Sequence, residues 1–134
     1  MDPGTFDAER IQNLMKIGIN RVSMGVQSFN DITLKSCGRA HTVNDVNNAI
    51  NDLSISGLNN YNIDLISSLP NVTINEWEET LNIAVSIRPN HISIYDLQIE
   101  EKTAFGNWFS PGNALYSCSF ILYCVMIFFK ITIM

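Results

Sequence analysis

Basic residues are scarce in this chain. Its 134 residues hold eight Lys and Arg against thirteen Asp and Glu, a net charge of −5. No basic stripe exists to displace counterions from a phosphate backbone, which argues against a nucleic-acid partner. Charge of either sign is sparse at 16%, while apolar residues reach 46%. That balance is too apolar and too mixed in sign for a disordered acidic chain, so a packed core is expected. Cysteine occurs three times, at Cys37, Cys118 and Cys124. Three cannot form a fully paired intrachain disulfide framework, and so small a number suggests a reducing compartment. Met1-Asp2-Pro3-Gly4-Thr5 lacks the basic and apolar regions of a signal peptide and the arginines of a transit peptide. No G-x-G-x-x-G or P-loop is present, so a nucleotide-phosphate cradle is not supported. No Ser–His–Asp arrangement and no internal repeat stand out.

What is present fits one domain. Residues 114–129 carry no charge, and Lys130 is the only one from there to Met134. This shift divides the chain into a globular part, residues 1–112, and an apolar tail, residues 113–134. The uncharged run falls short of the ~20 residues a spanning helix prefers. Membrane contact by the tail is therefore the lesser expectation.

The globular part alternates helix and strand patterns. Thr5 and Asp7 are N-cap candidates for a helix with Ala8, Ile11, Leu14 and Met15 on one face, ended by Gly18. Residues 19–26 are apolar and β-branched and read as a buried strand. Asn30-Asp31 starts a short helix to Ser36. His41-Thr42 precedes a longer one with Val43, Val46, Ile50 and Leu53 on one side, ended by Gly57. Residues 60–69 form the next strand, stopped by Pro70. Thr73-Ile74-Asn75-Glu76 is a capping box, and the helix behind it is expected to bury Trp77, Leu81, Ala84 and Val85 before Pro89 breaks it. Residues 91–97 form a third strand. Helices between strands are what right-handed crossovers need, so the predicted class is α/β with a parallel sheet.

In parallel α/β folds ligands sit at the carboxyl ends of the strands. Gln27 stands at the end of the first strand, Asp64 on the second and Gln98 after the third. Arg39 and His41 occupy the loop Cys37-Gly38-Arg39-Ala40-His41. Such a set can hold a ligand bearing a carboxylate and hydroxyls, because Arg makes bidentate contacts with carboxylate and Asp accepts from hydroxyls or an amine. The same residues equally suit a buried Arg39–Asp64 ion pair with Gln27 satisfying loop backbone. Cys37 and His41, four apart, could share a helical face as metal ligands do. Two ligands do not make a structural zinc site, however, and Cys118 and Cys124 have no metal-site spacing. Buried thiols are the plainer reading.

At these positions the sequence resembles a known family. Asn20-Arg21-Val22-Ser23-Met24-Gly25-Val26-Gln27-Ser28-Phe29 is similar to the signature strand of the oxygen-independent coproporphyrinogen III oxidase family of radical S-adenosylmethionine (SAM) enzymes. The likeness continues through Cys37-Gly38-Arg39-Ala40-His41, Asp64-Leu65-Ile66-Ser67-Ser68-Leu69-Pro70 and His91-Ile92-Ser93-Ile94-Tyr95-Asp96-Leu97, and covers residues 1–111 in order. The Gly-Arg-x-His loop, the Val-Gln-Ser-Phe form and Ile99-Glu100-x-x-Thr103-x-Phe105 resemble the haem-chaperone branch more than the oxidase branch. Asp2-Pro3-Gly4-Thr5-Phe6-Asp7 resembles plant members.

The resemblance implies part of a (β/α) barrel in which a 4Fe-4S cluster reductively cleaves SAM, with haem or porphyrin as the further partner. Gln27, Arg39 and Asp64 match SAM-binding positions, and Gln98 matches one that contributes mainly backbone contacts. The family's C-x3-C-x2-C cluster motif is absent from this sequence, so no catalytic and no metal-ligating residue is assigned. The expectation is a piece of a longer radical SAM protein, itself inactive, whose parent is cytoplasmic or organellar (plastid or mitochondrion). A non-catalytic interaction or membrane-attached piece is the alternative.

Overall fold

The computed structural model describes residues 1–97 and 106–107. Gln98, the domain boundary at residue 112 and the apolar tail lie outside the described residues. Within residues 1–97 helices and strands follow in the order α1 Ala8–Lys16, β1 Val22–Gln27, α2 Asp31–Ser36, α3 Val43–Ser56, β2 Tyr61–Ser67, α4 Ile74–Ile87 and β3 His91–Asp96. The strands form one parallel sheet in the order β1-β2-β3. The α/β class and the parallel sheet read from the sequence are those observed.

Local chemistry sets the boundaries. Asp7, not Thr5, caps α1, its carboxylate accepting from the Arg10 backbone N–H at 2.8 Å. The Thr5 hydroxyl is spent on the Asp2 carbonyl at 2.6 Å. Thr42–Asp45 and Thr73–Glu76 both close reciprocal capping boxes, at α3 and α4. The α2 helix ends in a Schellman motif, with Gly38 N–H donating to Lys35 O and Arg39 N–H to Leu34 O. Gly38 adopts φ 69°, a left-handed conformation that costs glycine little.

The pleat gives the sheet two unlike faces. Val22, Met24, Val26, Ile63 and Leu65 are buried in the core together with Ile11, Val46, Leu53, Leu81 and Ala84 from the helices. The opposite face is polar: Ser23 of β1, Asn62 and Asp64 of β2, and His91 and Ser93 of β3 are hydrogen-bonded neighbours. One core expectation is corrected: Val85 is 49% exposed, beside the buried Leu81 and Ala84 of the same helix. Met15, on the apolar face of α1, is 36% exposed.

Met1 runs alongside β1. Its ammonium donates to Ser23 O at 2.6 Å, and its carbonyl accepts from Gly25 N–H at 3.0 Å. This parallel-type bridge brings Asp2 against Gly25.

Candidate functional site at the carboxyl edge of the sheet

Strand β1 does not finish as a regular strand. Its register against β2 slips between Gly25 and Gln27, so Val26 is an extra residue. Ser28 N–H turns back to Val26 O at 2.8 Å, with Gln27 at the centre of the turn at φ 68°. A left-handed non-glycine residue costs about 1–2 kcal/mol and persists only where its surroundings hold it. Here the holder is His41. It is buried, and its Nε2 lies 3.1 Å from the same Val26 carbonyl. A carbonyl only accepts, so Nε2 carries the hydrogen. His41 is therefore a structural donor to the bulge.

The loop bearing Arg39 is fixed at both ends. The Gly38 turn ties it to α2, and Asp31 Oδ1 accepts from Val43 N–H at 2.7 Å, joining the start of α2 to the start of α3. The result is a groove of about 410 Å³ lined by Gln27, Arg39, Cys37 and Gly38 on one side and by Leu34, Ile66, Leu69 and Leu97 as its apolar part. That volume lies within the ~300–1,000 Å³ of small-molecule sites. Two concavities of similar volume lie on the outer faces of α1 and α4. Each is lined by a single helix and its flanks and gathers no residues from elsewhere, unlike the groove at the strand ends.

The site residues expected from the sequence are thus partly assembled. Gln27 and Arg39, twelve positions apart, face one groove. Asp64 does not line the groove; it stands on β2 two residues before the groove-lining Ile66, paired in register with Gly25. Among the described residues its carboxylate accepts from Ser23 Oγ at 2.7 Å and Asn62 Nδ2 at 2.6 Å. Neutral donors hold it, so the alternative of an Arg39–Asp64 ion pair is not what the fold makes. Gln98 lies outside the described residues, directly after the groove residue Leu97.

Cys37 lines the groove but is poorly suited to be a metal ligand. Burial pushes its thiol above its ordinary value, against smaller lowering effects from the Ser36 hydrogen bond and the Arg39 charge. A thiolate is the form that binds metal. Among the described residues no group of three or more His, Cys, Asp or Glu is placed to hold a metal ion.

Sequence reading missed Ser23, Asn62, His91 and Ser93. The signal was there in the alternation: Asn62 and Asp64 are two apart, as are His91 and Ser93, and period two places each pair on one face.

Comparison with known proteins now bears on this geometry. The family model of the Radical SAM superfamily matches residues 2–84. The chain is similar to the heme chaperone HemW of Synechocystis, 41% identical over 113 residues, covering 84% of this chain and 27% of that protein. It is likewise 44% identical over 104 residues to the heme chaperone HemW of Haemophilus influenzae, covering 78% of this chain and 27% of that one. Among solved structures it matches the coproporphyrinogen III oxidase HemN of Escherichia coli, described as a radical SAM enzyme, with a TM-score of 0.66 and 28% identity over 73% of this chain and 23% of the other. The chain spans about a quarter of the length of the curated relatives it matches.

Proposed function

The chain belongs to the radical SAM superfamily, and from that membership we propose that the groove between Gln27 and Arg39 holds S-adenosylmethionine. The observation that carries this reading is the convergence of Gln27 and Arg39, from a strand end and a separate loop, on one groove with an apolar wall. The donor set fits the cofactor. The Arg39 guanidinium pairs with the methionyl carboxylate. The Gln27 amide, free to donate and accept, lies between groove and sheet. Asp64 accepts from hydroxyls or the amine, and Leu34, Ile66, Leu69 and Leu97 exclude water around the apolar parts.

When bound, SAM supplies a sulfonium that a 4Fe-4S cluster cleaves reductively. The described residues do not fit that cluster: Cys37 is the one described cysteine, and such clusters are held by several cysteine thiolates. No step through a cluster is therefore assigned to these residues. We read the chain as a SAM-binding portion of a haem-chaperone-type protein acting in porphyrin or haem metabolism, inactive alone. Its resemblance to proteins named heme chaperones and to a coproporphyrinogen oxidase supports the tie to porphyrin or haem metabolism.

The test is ligand-observed NMR, with SAM titrated against the full chain. Weak binding with Kd on the order of 1 mM, worth about −4 kcal/mol, is expected. Loss of the Arg39 charge pair costs about 2–4 kcal/mol, enough to abolish that signal in Arg39→Ala. Micromolar binding indifferent to Arg39→Ala and Asp64→Ala would overturn the assignment.

A further inference from the structure

Resting on the SAM site above, we propose that Asn62 is a positioning residue for Asp64, and that it ties the direction of that carboxylate to the position of the hydrogen on His91. Asn62 is 3% exposed, in the middle of the sheet's polar face. Its Nδ2 lies 2.6 Å from Asp64 Oδ1, 2.8 Å from Ser23 Oγ and 3.0 Å from Ser93 Oγ. Its Oδ1 lies 2.7 Å from His91 Nδ1. These partners leave one orientation for the amide. A carboxylate accepts and does not donate, so the NH2 end must face Asp64. Turned over, the amide would set its carbonyl oxygen against a carboxylate oxygen at hydrogen-bond distance.

The rest follows along the chain of bonds. With Nδ2 facing Asp64, Oδ1 faces His91 and can only accept, so His91 Nδ1 carries the hydrogen. Ser23 donates its hydroxyl hydrogen to Asp64 Oδ2 at 2.7 Å and accepts from Asn62. Ser23, Asn62 and Asp64 close a triangle that holds both carboxylate oxygens, one from each side. A carboxylate held at two oxygens keeps a fixed plane, which is what recognition of a ligand hydroxyl or amine requires. His91 stands at the amino end of β3, paired in register with Asn62, whereas Asp64 pairs with Ser93. The link from Asp64 to His91 thus runs through Asn62.

Nitrogen NMR of the full chain reads this directly, above the pH range where imidazoles protonate. His91 is expected as the Nδ1–H tautomer and His41 as the Nε2–H tautomer, the second serving as internal control. Asp64→Asn, an isosteric change, frees the Asn62 amide to turn over. The His91 signal should then move toward the Nε2–H tautomer while His41 stays fixed. Asn62→Ala should weaken SAM about tenfold, the scale of a lost hydrogen bond to a charged group. If that buried variant does not fold, Ser23→Ala removes the other arm of the triangle and should weaken SAM in the same direction. A wild-type His91 in the Nε2–H form, or one unmoved by Asp64→Asn, overturns the inference. Arg39-dependent SAM binding that neither Asn62→Ala nor Ser23→Ala alters overturns the positioning role while leaving the SAM site standing. Expected tautomers without any Arg39-dependent binding overturn the SAM reading, and with it the role toward SAM, but not the hydrogen-bond chain.

Discussion

The amide nitrogen of Gln27 lies 2.9 Å from where a Cβ on Gly25 would stand. Gly25 is thus the floor on which the Gln27 side chain folds back. Asp2 Oδ1 approaches the same point at 3.0 Å. Nothing about the Gly25 backbone demands glycine, since its φ is not among the positive values. The demand is for space next to a groove residue.

Gly25→Ala should therefore separate stability from binding. The atoms in the way are the free ends of Gln27 and Asp2, which can move, so the overpacking cost should be near the low end of its range, about 1 kcal/mol. Gln27 would be displaced toward the groove, and the SAM signal should fall. Thermal melting together with ligand-observed NMR checks both. An unchanged SAM signal would mean that Gln27 does not act from this position.

The His41–Val26 hydrogen bond predicts how the strained turn fails. His41→Ala leaves Val26 O with only its Ser28 partner and vacates a buried site. A cost of about 0.5–1.5 kcal/mol is expected from the lost hydrogen bond, with the vacated space adding to it. Amide exchange at Ser28 should accelerate more than exchange in the middle of β2, because the turn is held locally. Uniform acceleration across the sheet would instead show that His41 serves the core at large.

The capping boxes give the fold a defined acid sensitivity. The Thr42 hydroxyl and backbone N–H hold Asp45 below its ordinary 3.8. The Thr73 backbone N–H, then its hydroxyl, hold Glu76 below 4.5. A carboxyl whose folded value is depressed adds stability above its unfolded value and loses it as pH falls through the folded one. The Asp45 and Glu76 contributions should therefore be complete above about pH 5 and fade on acidification below their ordinary values. Paired Asp45→Asn and Glu76→Gln substitutions should flatten the dependence of denaturant midpoint on pH in that window. An unchanged acid slope would place the proton uptake on other carboxyls.

Much of this architecture was legible in the sequence because local signals agreed with one another. Thr42 and Thr73 with their acidic partners, Gly18 and Gly57 after helices, and Pro70 and Pro89 after β2 and α4 marked nearly every boundary. Strand β1 was placed to begin at Ile19, but the chain there is still leaving the Gly18 turn, and pairing starts at Val22. Arg39 and Gln27 were found because topology alone sends strand ends and following loops to one rim. The geometry beneath them was not legible. The Val26 bulge has no local sequence marker, and the His41 bond that fixes it spans fifteen positions. In the sequence Asn62 is one more residue of a strand, because only the pairing of β1, β2 and β3 shows it surrounded by Ser23, Asp64, Ser93 and His91.

Cys37 offers a reporter on the groove that does not require a cofactor reaction. The thiolate is the form that reacts with alkylating agents, and burial pushes this thiol above its ordinary value. Alkylation of Cys37 at neutral pH, followed by peptide mass mapping, should be slower than that of a free cysteine. Arg39 lowers the thiol's value, so Arg39→Ala removes a stabilising charge and should slow alkylation further. SAM at millimolar concentration should protect Cys37 in the wild-type chain, because both would occupy one groove, and should give no protection in Arg39→Ala. Equal protection in both proteins would mean that SAM, if it shields Cys37, does so without the guanidinium, and the groove would then need a different occupant.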